Sequence, residues 1–129
     1  MATSSGRPPG VDAAEEHFAG QPTALAVLRA VLDVVEGLGG CEVRTSKSQV
    51  ALRRRRGFAH LWDPGLYLRR RTAEIVLSVV LDRHDHSPRW NEVAHASPAT
   101  WTHHLEVRDA AEIDDEVAGW LREAADLAR

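Results

Sequence analysis

The chain has 129 residues, a length typical of one domain. Apolar residues make up 43% and charged residues 27%, which is normal for a globular protein and excludes a disordered, coiled-coil or fibrous chain. The single cysteine, Cys41, excludes an intrachain disulfide framework, and the longest apolar stretch, Ile75 to Leu81, is too short to span a bilayer. Because the N-terminus has no hydrophobic signal core, we expect a cytoplasmic protein without a membrane partner.

The net charge of −3 conceals an uneven distribution. The segment from Arg44 to Arg71 has a net charge of +8, and the rest of the chain has −11. Its nine basic residues are Arg44, Lys47, Arg53, Arg54, Arg55, Arg56, Arg69, Arg70 and Arg71. A basic segment of this kind creates a local field that attracts anions, whatever the total charge of the chain.

The first third of the chain predicts a tail and two helices. Residues 1–10 are small, polar and rich in Pro and Gly, so we expect a disordered tail ahead of a single domain at 11–129. Asp12 and Glu15 have the spacing of a capping box and predict a short helix that ends near Phe18. Residues 23–38 repeat apolar side chains on one helical face, and glycines follow them.

The middle of the chain changes to a period of two, which predicts strands. Residues 41–45, 50–55 and 58–62 alternate, with Gly57 as a break or bulge between the last two. Residues 74–81 are almost all β-branched or Leu and predict a central strand covered on both faces.

The last third predicts a connection, a strand and a helix. Residues 83–100 are a polar connection in which Ser87 and Pro88 begin a short helix through Val93. Residues 101–108 alternate as a strand, and Asp109 with Glu112 caps a final acidic helix through Asp126. This order predicts an α+β fold: an antiparallel sheet of about five strands with N- and C-terminal helices packed on one face as a two-layer sandwich.

Several short motifs together resemble a family of small bacterial domains of unknown function. They are Phe18 to Pro22, Val43 to Gln49, Arg53 to Phe58, Ser87 to Trp90, Trp101 to Glu106 and Glu112 to Glu116, and they cover nearly the whole chain after residue 10. The resemblance implies a helix–sheet–helix domain, similar to small α+β domains of frataxin-like and DNA-binding-like fold. Relatives occur within larger proteins, some described as predicted transport proteins and some beside restriction-type nuclease modules. The resemblance implies no catalytic residue.

The basic segment is the main functional candidate. Arginine binds phosphate oxygens in a bidentate manner, and Phe58, Trp62, Tyr67 and Trp90 are candidates for stacking on bases. We therefore predict a binding module that contacts nucleic acid or a phosphorylated ligand. The alternative is a protein-interaction domain or homodimer, in which the arginines meet the acidic C-terminal helix. A purely structural role, in which the arginines protect a strand edge, is also open.

The predicted ligand-binding residues include neighbours of the basic segment. They are Lys47, Gln49, Arg53, Arg54, Arg55, Arg56, Trp62, Arg69, Arg70, Arg71, Trp90 and His104. In addition, the sequence Lys47-Ser48-Gln49 could hold an anion at a strand turn, or its polar side chains could simply satisfy the hairpin backbone. Trp62 and Trp90 flank the polar connection and could line a pocket.

Enzymatic chemistry has weaker support in the sequence. No motif for a nucleophilic serine, a phosphate-binding loop or a nuclease metal site is present, so we predict no cofactor and no metal, and we favour a non-enzymatic role. His103 and His104 must point to opposite faces of a strand and cannot share one metal. The remaining enzymatic alternative centres on Lys47, Gln49, His60 and His104.

Overall fold

The structure is a computed structural model that describes residues 8–66 and 73–129. Most of the predicted N-terminal tail lies outside these residues, as do Tyr67 and the predicted ligand-binding Arg69, Arg70 and Arg71. The elements in chain order are α1 (Val11–His17), α2 (Pro22–Gly37), β1 (Glu42–Thr45), β2 (Val50–Arg53), β3 (Gly57–Trp62), β4 (Ile75–Leu81), β5 (Glu92–Ser97), β6 (Thr100–Val107) and α3 (Asp115–Leu127). Short 3-10 turns at Pro64–Leu66 and Ala110–Glu112 precede β4 and α3.

The strands form one antiparallel sheet in the order β1-β2-β3-β4-β6-β5. This confirms the predicted α+β class, with six strands rather than about five. The central position of β4 explains its composition, since its neighbours on both sides and the helices on one face cover most of its surface. Among the described residues, no helix is both long and apolar enough to cross a membrane.

The prediction for the polar connection was wrong. Ser87 and Pro88 lead into a turn rather than a helix, and the chain then forms β5, which pairs with β6 at the edge of the sheet. Most β5 side chains are exposed or half-buried, so the strand carries no strong apolar alternation. Its neighbour β6 supplies the hydrogen bonds that define it.

The start of the last helix also differs from the prediction. Asp109 caps the 3-10 turn by accepting a hydrogen bond from the Ala111 amide, and Asp114 caps α3 by accepting one from the Val117 amide. Asp115 and Glu116 then occupy the first turn, where their negative charge interacts favourably with the positive end of the helix dipole. The acidic run therefore serves two successive caps instead of one.

One hydrophobic cluster joins the helices to one face of the sheet. It includes Phe18 just after α1, Leu28 from α2 and Leu121 from α3, which pack with Leu61 and Leu77 of the sheet, and all five are fully buried. The register slips at the end of β2, where Leu52 pairs with Ala59 and Arg53 pairs with Gly57, so Phe58 is an extra residue on β3. Phe58 is buried in the core and is not available for base stacking.

Candidate functional site: a cleft on the open face of the sheet

The face of the sheet opposite the hydrophobic cluster carries a row of polar side chains. The register aligns Ala51, His60, Ser78, His104 and Glu92 across β2, β3, β4, β6 and β5. Each belongs to the alternate set that points away from the core, because its chain neighbours include the core-facing residues. Four strands therefore bring polar groups from distant parts of the sequence to one line.

The middle of this row lies in a cleft of about 340 Å³. Its walls are Ser48, Gln49, His60, Trp62, Ser78, Thr102 and His104. A cleft of this size is at the small end of the range for small-molecule sites. Of the predicted ligand-binding residues, the structure brings together Gln49, Trp62 and His104 here, and it adds His60 from the enzymatic alternative.

A chain of hydrogen bonds crosses the floor of the cleft. Trp62 Nε1 donates to Ser78 Oγ at 2.8 Å, and Ser78 Oγ lies 2.7 Å from His104 Nδ1. Since indole is only a donor, the Ser78 oxygen accepts from Trp62 and its own proton can point to a neutral His104. The hydroxyl oxygen can also accept a hydrogen bond from Nδ1–H of a charged His104 ring. Ser78 thus keeps a hydrogen bond to His104 in either protonation state.

Both cleft histidines are poised to be neutral at pH 7. Burial lowers the pKa of His60 below its ordinary value of 6.5, and the nearby His104 and Arg53 lower it further. Burial also lowers the pKa of His104, although the carboxylate of Glu92 opposes this shift. Both rings therefore have a lowered affinity for protons. The charged neighbour of His60 is the cation Arg53, whereas that of His104 is the anion Glu92.

Gly57 makes room for the ring of His60. A Cβ atom added at Gly57 would lie 3.3 Å from His60 Nε2 and 3.8 Å from Arg53 Nη1, so the ring and the guanidinium group flank this glycine. Arg53 also lies 3.9 Å from a carboxylate oxygen of Glu42, but its buried Nε makes no hydrogen bond with the described residues. The predicted Arg53 therefore lies beside the cleft with part of its donor capacity unused.

The turn between β1 and β2 forms the end of the cleft. Ser46 fixes this turn, because its hydroxyl donates to the Gln49 carbonyl at 3.3 Å and accepts from the Ser48 amide at 3.4 Å. Ser48 and Gln49 line the cleft, whereas Lys47 is exposed at the tip of the turn. The hairpin backbone is therefore satisfied by Ser46, which leaves the side chains of Ser48 and Gln49 on the cleft wall.

The rest of the predicted arginine cluster turns toward the helices. Arg54 donates to the carbonyl oxygens of Leu38, Gly40 and Ala125 at 2.8, 3.2 and 3.3 Å. Arg56 donates to the Leu127 carbonyl at 3.2 Å. These carbonyls lie at or just beyond the C-terminal ends of α2 and α3, where cations are favourable. Arg55 has an exposed side chain, and its backbone amide donates to the Ala128 carbonyl.

The structure does not bring Trp90 to the cleft. Trp90 is buried against Trp120, with ring centroids 4.1 Å apart, and its Nε1 donates to Asp85 at 2.8 Å. Both His103 and Trp90 belong to the covered side of the sheet, with their rings 4.9 Å apart. Trp90 therefore has a packing role on the side opposite the cleft.

The acidic helix α3 has partners of its own within the chain. Arg89 pairs with Asp114 and Glu116 at 3.0 and 2.8 Å, and Arg83 makes two bonds to Glu123 at 2.8 and 2.9 Å. Both arginines come from the connection between β4 and β5. Within residues 8–66 and 73–129, no group of three or more His, Cys, Asp and Glu residues could hold a metal ion.

Comparison with known proteins identifies the family. The sequence matches a family model described as "Domain of unknown function (DUF5655)" over residues 14–128. The chain belongs to this family. The match includes all six strands, and therefore the cleft, and it confirms the resemblance to a small uncharacterised domain family. No curated protein and no solved structure matches the chain.

Sequence reasoning about this DUF5655 domain missed two parts of the cleft. Ser78 is the one polar side chain within β4, and the sequence shows it only as an interruption of an apolar run. A polar residue in the middle of a covered strand needs a hydrogen-bond partner, and that requirement is the signal that could have identified it. Thr102 lies within the alternating residues 101–108, and its place in the cleft depends on the pairing of β4 with β6.

Proposed function

We propose that this DUF5655 domain is a binding module that holds single-stranded nucleic acid on the open face of its sheet. The observation that carries the proposal is the cleft itself, which combines three ring systems with amide and hydroxyl groups beside Arg53. We also propose a cytoplasmic location, where nucleic acid is available as a ligand.

The cleft supplies the two kinds of contact that single strands require. The rings of His60, Trp62 and His104 offer surfaces on which bases can stack, and the amide of Gln49 can donate to and accept from a base edge. Arg53 and the exposed Lys47 supply positive charge beside the cleft and on the adjoining turn. Bases in a duplex are already paired and stacked on one another, so unpaired nucleotides are the favoured ligand for stacking on these rings.

Geometric support for the protein-interaction alternative is weaker. It requires arginines of the basic segment to meet the acidic C-terminal helix, but Arg54 and Arg56 bond backbone carbonyls of their own chain. Three of the acidic side chains, Asp114, Glu116 and Glu123, also pair with Arg89 and Arg83. A homodimer built on this pairing would have to break these contacts first.

The test is fluorescence anisotropy with labelled single- and double-stranded RNA and DNA over a range of salt concentrations. We expect single strands to bind more tightly, with affinity that falls steeply as salt rises. Arg53→Gln should weaken binding and reduce the slope of log affinity against log salt by about 0.7, the value for one phosphate contact on a single strand.

The matched control is Arg55→Gln, which removes the same charge from the same cluster at an exposed position that does not flank the cleft. We expect this variant to keep most of the affinity. Equal losses in the two variants would indicate a diffuse field rather than the cleft. The absence of binding at low salt would contradict the proposal, and a dimer that dissociates at high salt would favour the protein-interaction alternative.

A further inference from the structure

The two cleft histidines lie on either side of Ser78. His60 on β3 and His104 on β6 are both register partners of Ser78 on β4, so their backbones are two strand spacings apart, roughly 10 Å. Their side chains share one face and line the same cleft, and their charges affect one another. Two imidazoles that line one cleft can act on the two sides of one phosphate group.

We propose that the cleft cleaves single-stranded RNA without a metal ion, with His60 and His104 as the general base and general acid. This inference rests on the proposed nucleic-acid binding and adds a reaction to it. The substrate class is RNA rather than DNA, because the chemistry uses the 2′-hydroxyl as the internal nucleophile.

The reaction balances with the groups present in the cleft and the substrate. One neutral imidazole removes the proton from the 2′-hydroxyl while the bond between O2′ and phosphorus forms. The bond between phosphorus and O5′ breaks, and the other imidazole, which enters the reaction protonated, gives its proton to O5′. The products are a 2′,3′-cyclic phosphate and a 5′-hydroxyl, and proton exchange with water restores both rings.

The neighbours of the two histidines assign their roles. Arg53 lies beside His60 and favours its neutral form, which makes His60 the base. The carboxylate of Glu92 opposes the lowering of the His104 pKa that burial causes, so we assign His104, rather than His60, as the acid. Ser78 can donate to the neutral His104 ring and accept from the charged ring, so it holds the orientation of the acid throughout the cycle.

Arg53 has a second role in this reaction. Negative charge increases on the phosphate oxygens as O2′ attacks, and a guanidinium group beside the base can stabilise that charge. Its Nη1 and the His60 Nε2 both lie within 4 Å of the same point above Gly57, so one phosphate could reach both. Arg53 also belongs to the proposed binding surface, so its variant cannot separate binding from cleavage.

Variants of the histidines can separate these steps. The experiment uses the full chain, a 5′-labelled single-stranded RNA and an excess of EDTA, with products identified by mass spectrometry. We expect a 2′,3′-cyclic phosphate product, and we expect His60→Gln and His104→Gln each to reduce the cleavage rate by about 10² to 10⁴-fold. Binding of the same sequence as 2′-O-methyl RNA should change by much less, since that analogue cannot be cleaved.

The control variant is His84→Gln, an exposed histidine that does not line the cleft and should leave the rate unchanged. A bell-shaped pH profile should accompany cleavage, with its optimum below pH 6.5 because both rings have lowered pKa values. The charged or titratable groups that act on the pair are Arg53 on the His60 side and Glu92 on the His104 side, in addition to the rings themselves.

The outcomes distinguish this inference from the proposed function. Binding of 2′-O-methyl RNA without cleavage of RNA would overturn the inference and leave the binding proposal intact. No binding of either RNA would overturn both. Cleavage that persists in both histidine variants, or that is lost with EDTA, would indicate a contaminating nuclease or a metal-dependent reaction and would also overturn the inference.

Discussion

The two faces of the sheet use neighbouring residues for opposite purposes. His103 points to the helix-covered face, where it is fully buried, and its Nε2 accepts a hydrogen bond from the Asp85 amide at 3.0 Å. His104, the next residue, points to the open face and lines the cleft. Strand geometry alone separates them, because successive side chains alternate between faces. His103 therefore packs within the core, whereas His104 is accessible to a ligand.

The arginine cluster divides in the same way. Arg53 is the last residue of β2 and lies beside the cleft, whereas Arg54 has left the strand and bonds three backbone carbonyls near the ends of α2 and α3. Four consecutive arginines thus have different environments, and a charge count over the cluster overstates the positive surface that a ligand can reach. Position relative to the sheet, rather than residue type, therefore decides what each group does.

The largest expected difference in stability is between substitutions on the two faces of β4. Leu77 is fully buried in the core, and we expect Leu77→Ala to lower the free energy of unfolding by about 2–5 kcal/mol. The matched substitution on the open face is Val80→Ala at a half-buried position, which should cost about 1 kcal/mol or less. Urea denaturation of both variants measures the difference. Equal losses would mean that the open face is covered as thoroughly as the other.

The next largest expected difference in stability is between substitutions of two neighbouring arginines. Arg54→Gln removes charged hydrogen bonds to Leu38, Gly40 and Ala125, and we expect it to lower the free energy of unfolding by about 2 kcal/mol. Arg55→Gln changes an exposed side chain and should remain within about 0.5 kcal/mol of the wild type. Thermal and urea denaturation of the pair would check this. A destabilised Arg55→Gln with an unaffected Arg54→Gln would contradict the division of the cluster.

The sequence predicted an element well wherever burial imposes a regular pattern of apolar residues on it. The apolar stripe of α2 and the continuous apolar run of β4 predicted both elements to within a residue or two of their observed bounds. The strand β5 was missed, because an exposed edge strand needs no apolar alternation and its pairing with β6 is a tertiary property. The same limit applies to the cleft, whose members Gln49, His60, Ser78 and His104 meet only through the order of the strands.

The orientation of the arginines was beyond sequence patterns for a related reason. Alternation assigns Arg53 and Arg55 to one face and Arg54 and Arg56 to the other, but this rule applies only within a strand. Since β2 ends at Arg53, the carbonyls at the helix ends decide where Arg54 and Arg56 point. Helix ends leave backbone carbonyls without partners, and that general demand would have been a reason to expect structural arginines near them.

The smallest expected effect is a pH dependence of stability that originates in the histidines of both faces. Burial lowers the pKa of His103, and the carbonyls of Val79 and Trp101 and the carboxylate of Asp85 only partly oppose this shift. As pH falls below about 6.5, the unfolded chain gains protons that the folded chain does not accept, so stability decreases with falling pH. The same sign applies to His60 and His104, whose pKa values are also lowered.

Urea denaturation at pH 7.5 and 5.5 would measure this loss, which cannot exceed about 1.4 kcal/mol per pH unit for each histidine. This window lies above the range in which the paired carboxylates Asp85 and Asp114 take up protons, because their pKa values are lowered from 3.8. His103→Gln should make the pH dependence shallower even if it destabilises the protein at both pH values. If His103→Gln kept the full dependence and His104→Gln removed it, the open face would be the proton-sensitive side and the covered face would not.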